Sequence, residues 1–198
     1  MTVTAVSTFG SNPLWYTTRS TGVVAFVLLT LTFAFGLAAT KRAFASRFWP
    51  RFATQELHRN LSLLAVVFLL VHIVTTLADS FVNVGWWSWV VPGAAHYRTL
   101  WVALGTIAFD LVVVLIVTSL LRHRMNARVW RGIHYSAYAA WPLAFLHFLK
   151  TGTDAAQGRW GLYVDVACLL VIGVALTARW MNPDEPTGPV RSLRGPAR

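Results

Sequence analysis

Four histidines carry the chemistry this sequence could perform. His58 and His72 stand fourteen residues apart in one apolar stretch, and His134 and His147 stand thirteen apart in another. An imidazole can bind a metal through one ring nitrogen, but its other N–H then needs a carbonyl or hydroxyl acceptor. In hydrocarbon that demand is strict, because a polar group without a partner is costly there. Two such pairs in a greasy chain therefore raise two questions: what the rings hold, and what holds the rings.

The elements that must position them are membrane helices. Of 198 residues, 56% are hydrophobic and only 12% charged, with mean hydropathy +0.56, which places the chain in the membrane class. Five apolar stretches have about the 17–25 residues needed to cross a bilayer: Gly22–Ala39, Leu61–Leu77, Leu100–Leu121, Gly132–Leu149 and Trp160–Met181. The expected fold is an all-α bundle of five transmembrane helices. The second is expected to begin near Glu56, with Thr54 as its N-cap. Residues 1–181 form one transmembrane domain in this reading, and the Pro- and Gly-rich residues 182–198 are expected to be a disordered cytoplasmic tail.

Charge sets the expected direction. The net charge of +10 would suggest nucleic acid in a soluble protein, but here the basic residues sit between apolar runs. Thirteen Lys and Arg fall in the loop between spans one and two, the loop between spans three and four, and the C-terminal segment; only Arg19, Arg98, Lys150 and Arg159 fall on the other side. That bias puts the N-terminus outside and the C-terminus in the cytoplasm. The first span lacks a basic leader and is followed by Lys41 and Arg42, the charge order of an uncleaved helix. The single cysteine, Cys168, forms no intrachain disulfide, and no CxxCH, CxxC, GxGxxG or GxxxxGK[ST] occurs. Covalent c-type haem, a zinc knuckle, a dinucleotide fingerprint and a P-loop are thereby excluded.

With that topology both histidine-bearing spans run from inside to outside. His58 and His134 lie near the cytoplasmic face, and His72 and His147 toward the outer face. Each pair is separated by about 20 Å of helical rise, two thirds of a hydrocarbon core. One histidine from each helix then falls in each of two layers. Bis-imidazole ligation of two b-type haems accounts for this, and with both axial positions filled it favours electron transfer over oxygen binding at the metal. Fourteen residues turn an ideal helix through about 320°, so His58 and His72 face nearly the same way, with small Ala65 midway; thirteen give about 220°, which turns His134 and His147 apart. Pro142 lies between that second pair, and an irregular turn near Ala139–Pro142 is expected to realign them.

The alternatives are plainer. A membrane histidine also serves as a polar contact between helices, worth about 1 kcal/mol. A haem-free protein could use the histidines with Asp110, midway along the third span, as a proton or metal relay; Asp110 could equally contact a quinone or make an interhelical hydrogen bond. Asp165, near the outer end of the last span, reads as a hydrated residue. His96 and His123 read as solvated or interfacial loop residues. Phe68 and Trp141 could line an electron path, though packing is the simpler role. Residues 78–99, with Trp86, Trp87 and Trp89, read as an interfacial anchor, with a lid over an outer cofactor as the sharper alternative.

The residues also carry a resemblance. "LHRNLSLLAVVFLLVHI", residues 57–73, and "TSLLRHRMNARVWRGIHYSAYAAWPLAFLHF", residues 118–148, are similar to the ligand helices of the ferric reductase-like transmembrane superfamily, with H-x13-H, H-x12-H, W-x3-H and L-x3-HF in place. That superfamily includes the membrane cores of NADPH oxidases, metalloreductases and the haem-binding subunit of a bacterial methionine sulfoxide reductase system. The resemblance spans residues 18–180. It implies a multi-pass cell-membrane protein, of the bacterial plasma membrane, acting as the electron-transfer component of an oxidoreductase. By position, His58 and His134 hold the inner haem b, and His72 and His147 the outer one. Propionate contacts would come from Arg59, Arg128 and Arg131 inside and from Arg98, Tyr97 and Lys150 outside, with Arg59, Arg131 and Arg98 foremost. The oxidases' FAD and NADPH domain has no counterpart in the 17 residues after the last span. The implied partners are therefore membrane lipid, a separate cytoplasmic flavoprotein or a quinol as donor, and an outer acceptor such as ferric iron, oxygen or a protein, with no nucleic acid.

Overall fold

The computed structural model describes residues 13–39, 51–79, 84–152 and 160–181. Among these the chain is helical, with no strand. The helices are α1 (Pro13–Ala39), α2 (Arg51–Ala78), α3 (Thr99–Leu120), α4 (Ala127–His134), α5 (Ala137–Thr151) and α6 (Trp160–Met181), with 3-10 turns at Trp86–Trp89 and Arg122–Arg124. The expected tail, and several Lys and Arg of the charge count (Lys41, Arg42 and Arg159 among them), lie outside the described residues.

Four helices are long and apolar enough to cross a membrane: α1, α2, α3 and α6. Two start earlier than their apolar runs suggest. In α1, hydroxyls at the polar start are satisfied internally: Thr17 Oγ1 donates to Pro13 O at 2.7 Å and Thr21 Oγ1 to Thr17 O at 2.6 Å. In α2, Thr54 is buried inside the helix rather than capping it, because the helix already begins at Arg51.

The expected fourth span is not one helix. It divides into α4 and α5 at Tyr135–Ser136, four residues before the stretch where the irregular turn was expected. Around the break the bonds tighten to i−3, with Ser136 N donating to Ile133 O at 2.9 Å and Tyr138 N to Tyr135 O at 3.0 Å. Pro142 then sits inside a helix that starts only at Ala137, so its missing N–H forgoes one bond near the helix start instead of splitting a long helix in the middle. Asn126 caps α4, its Oδ1 accepting from Arg128 N at 2.8 Å.

Packing leaves large apolar side chains on the outside: Val67, Leu70 and Val74 of α2, Val114 and Val117 of α3, and Leu170 and Val174 of α6 are exposed. That is the surface a hydrocarbon solvent requires. α1 packs along α2 and also meets α5 and α6, while α3 packs on α5. A dry core lies where α1, α5 and α6 meet, built on Phe26, Trp141, Cys168 and Ile172. Phe26 stacks on Phe148 at 4.9 Å, and Trp141 stacks on Phe145 at 5.6 Å. Trp141 Nε1 donates to Thr30 Oγ1 at 3.0 Å, and Thr30 Oγ1 passes its own proton to Phe26 O at 2.9 Å.

That indole–hydroxyl bond is the polar clamp between α1 and α5. A double-mutant cycle of Thr30→Val and Trp141→Phe, read by thermal unfolding in detergent, should show a coupling of about 0.6–1.7 kcal/mol. Strictly additive losses would contradict the clamp.

Candidate functional site

The other side of the bundle is hollow. A cavity of about 1370 Å³ is lined by all six helices, α6 contributing Trp160, Gly161 and Arg179 at its ends, and all four paired histidines line it. An ordinary small-molecule pocket holds roughly 300–1,000 Å³, so the space suits more than one sizeable group. Ala65 and Ala140, at 7% and 1% exposure, line it between the two histidine levels and keep its middle open, as the small residue at Ala65 suggests from sequence.

Three of the four imidazoles are seated by the same device. His58 Nδ1 lies 2.8 Å from Thr32 O, His72 Nδ1 2.8 Å from Thr18 O, and His147 Nδ1 2.8 Å from Trp101 O. A carbonyl only accepts, so each Nδ1 carries the proton. In every case a glycine follows the carbonyl by four residues: Gly36, Gly22 and Gly105. A Cβ at Gly105 would stand 2.5 Å from His147 Nδ1, one at Gly22 2.8 Å from His72 Nδ1, and one at Gly36 3.2 Å from His58 Cε1. The glycines are notches that let a ring lie against a neighbouring helix backbone and reach a carbonyl already used by the helix. With Nδ1–H fixed outward, the lone pair of Nε2 is left for the cavity.

Two of the four rings meet directly. His58 and His134 have centroids 6.3 Å apart at 66°. Two imidazoles on opposite sides of one metal ion, each nitrogen about 2.0 Å from it and about 1.1 Å from its own ring centre, would have centroids roughly 6.2 Å apart. His147 lies in electrostatic reach of His72 at the other end of the cavity. The break at Tyr135–Ser136 is what allows His134 and His147 to share the cavity despite their 13-residue spacing. These neutral nitrogen donors, set along a large apolar-walled cavity, have the chemistry that a tetrapyrrole iron takes as ligands.

His134 differs from the others. Its Nδ1 is buried with no hydrogen-bond partner among the described residues. Its ring stacks on Trp130 at 4.9 Å and 25°, and the Arg122 guanidinium lies 4.5 Å from the Trp130 ring centre.

The charged residues sort less simply than the histidines. Arg59 and Tyr97 line the cavity. Arg131, Arg128, Arg98 and Lys150 do not. Trp130 occupies the turn beside His134, which leaves Arg131 on the exposed flank of α4. The Arg98 guanidinium is taken by the Lys150 carbonyl in the last turn of α5, where helix carbonyls need donors, and the Lys150 ammonium lies over the Trp101 ring at 5.6 Å. Arg19, Arg122 and Arg179 line the cavity instead. Asp110 is half-buried and does not reach the cavity, and neither does Phe68. Asp165 is not hydrated: it is 1% exposed, and neither carboxylate oxygen has a partner among the described residues. His123 is exposed in its loop, as expected, whereas His96 reaches the cavity mouth.

The segment after α2 divides the two readings of its tryptophans. Trp86 and Trp87 are 69% and 68% exposed, suited to an interface. Val84, Ser88 and Trp89 close over the cavity at the His72 end, pinned by Thr106 Oγ1 donating to Ser88 O at 2.6 Å. The turn there uses Gly85 at φ +86.

A family model described as "Ferric reductase like transmembrane component" matches residues 21–145, which takes in α1 through most of α5 and all of the paired histidines except His147. No curated protein and no solved structure matches.

Helical Gly→Ala replacement ordinarily stabilises by up to about 1 kcal/mol. The notches reverse the sign: Gly105→Ala and Gly22→Ala should lower the unfolding temperature, Gly36→Ala less so, while Gly173→Ala, whose Cβ would meet nothing within 4 Å, should hold or raise it. Equal effects at all four, measured by thermal unfolding, would show that the rings do not sit in these notches.

Proposed function

The chain belongs to the ferric reductase-like transmembrane family, and from that premise we propose that it is a dihaem b-type cytochrome carrying electrons across a membrane. Membership supports an electron-transfer role in the membrane. The observation that carries the finer reading is the set of seated imidazoles, each with Nδ1–H tied to a carbonyl and Nε2 free toward one long cavity.

In this reading His58 and His134 hold an inner haem, and His72 and His147 an outer one. Haem held there would supply a one-electron couple at each level. The remaining work belongs to the chain. The carbonyls of Thr18, Thr32 and Trp101 orient the rings and raise their basicity. Ala65 and Ala140 leave space for flat macrocycles. Arg59 supplies a cation for propionates at the inner end, and Arg19 at the outer end. Val84, Ser88 and Trp89 restrict water at the outer end.

The charge bias supports an N-terminus outside and a C-terminus in the cytoplasm, with α4 and α5 together making the fourth of five crossings. Electrons enter from a cytoplasmic flavoprotein or a quinol and leave to an outer acceptor: ferric iron, oxygen or a partner enzyme. A haem-free relay through Asp110 has less support, because Asp110 stands away from the histidines.

Protein purified in mild detergent should contain two haem b per chain with a low-spin bis-imidazole spectrum. Ala in place of any one of His58, His134, His72 or His147 should remove about half of the haem, and the inner and outer variants should lose different spectral components. Unchanged haem content in these variants would refute the assignment.

A further inference from the structure

We infer that the chain holds its two iron sites at unequal potentials, the inner one higher, by seating His134 against Trp130 and Arg122 where the other three ligands are seated on a helix carbonyl. This rests on the dihaem reading above.

The asymmetry is written into the helices. The carbonyl-plus-glycine notch occurs twice on α1, as Thr18 with Gly22 and Thr32 with Gly36, fourteen residues apart. That spacing matches His58 and His72 on α2, so both α2 ligands are seated. On α3 the notch occurs once, as Trp101 with Gly105, and seats His147. Fourteen residues after Gly105 stands Ser119, which lines the cavity and carries a Cβ where a notch would need none. The buried Nδ1 of His134 has no partner among the described residues.

The consequence follows from ligand chemistry. An imidazole whose Nδ1–H donates to a carbonyl pushes more electron density onto Nε2, becomes the stronger base and favours ferric iron. The outer site has two such ligands and the inner site has one. A second effect acts in the same direction. The Arg122 guanidinium, stacked on Trp130, which is itself stacked on His134, puts positive charge behind the inner ligand and favours the less positively charged ferrous state. At the other end the cavity wall carries the buried carboxylate of Asp79 together with Arg19.

The half-reduced protein therefore keeps its electron on the inner iron. Outward transfer converts inner Fe(II) and outer Fe(III) into inner Fe(III) and outer Fe(II), one electron moving and no bond or proton changing hands. The outer iron is then the stronger reductant, charged when a second electron arrives inside or when an acceptor draws on it.

Redox titration of the purified protein, followed by its optical bands and by low-spin electron paramagnetic resonance, tests this. Two resolved midpoint potentials are expected. Arg122→Gln and Trp130→Phe should each shift the higher one downward and leave the lower one in place, with two haems retained. Arg128→Gln, an exposed charge outside the cavity, should move neither. A single unsplit midpoint, a shift of the lower component, or no shift in either variant would overturn the inference while leaving the dihaem reading intact. Fewer than two haems in the unaltered protein would overturn both.

Discussion

The structure depends on a hydrogen bond from a histidine Nδ1–H to a backbone carbonyl of the neighbouring helix, made at the one place where that helix has no side chain. In hydrocarbon an imidazole cannot leave its N–H to water, so a partner has to come from the protein. Backbone carbonyls inside a helix are already bonded, but they keep a second lone pair, and only a glycine lets a ring come close enough to use it. Once made, the bond fixes the tautomer, the ring orientation and the direction of the free nitrogen. Three of the four imidazoles are held this way, and the cavity geometry follows from them.

The same constraint organises the bundle into two faces. α1 gives one side to α2, where threonine carbonyls and glycines receive the histidines, and another to α5 and α6, where aromatic rings stack around Phe26 and Trp141 and form part of the cavity wall. The dry side gives the hollow side a rigid wall. The clamp from Trp141 to Thr30 joins the histidine-bearing α5 to the helix that seats both α2 histidines, so the two ligand layers are referenced to a single helix.

Much of this was legible in the sequence. The apolar runs located α3 and α6 within a residue or two, because a bilayer sets their length. The four histidines stood out because their depths matched, and depth follows directly from spacing on a helix. The break in the fourth span was implied by a 13-residue spacing that an ideal helix cannot reconcile, yet its position was not: Pro142 marked the segment, whereas the distortion falls at Tyr135–Ser136, where α5 can begin soon enough to keep the proline near its start. The notches were visible as Gly22 and Gly36 at the spacing of His58 and His72, but meaningful only once α1 is known to lie along α2. Arginine roles were the least legible. Which of Arg59, Arg122, Arg128 and Arg131 faces the cavity depends on small rotations that Trp130 decides, and all of them satisfy the same charge bias. Asp165 was misjudged because nearness to a span's end does not reveal which face meets a neighbour; it shares the buried face of α6 with Gly161, Cys168 and Ile172.

The most direct measurement is an experimental density map of the protein purified from membranes with its cofactors in place. The account requires two flat macrocycles, one between the rings of His58 and His134 and one between those of His72 and His147, with His58, His72 and His147 still donating through Nδ1 to the carbonyls of Thr32, Thr18 and Trp101. A bundle interior filled by lipid or side chains, or histidine rings turned outward from those notches, would contradict it.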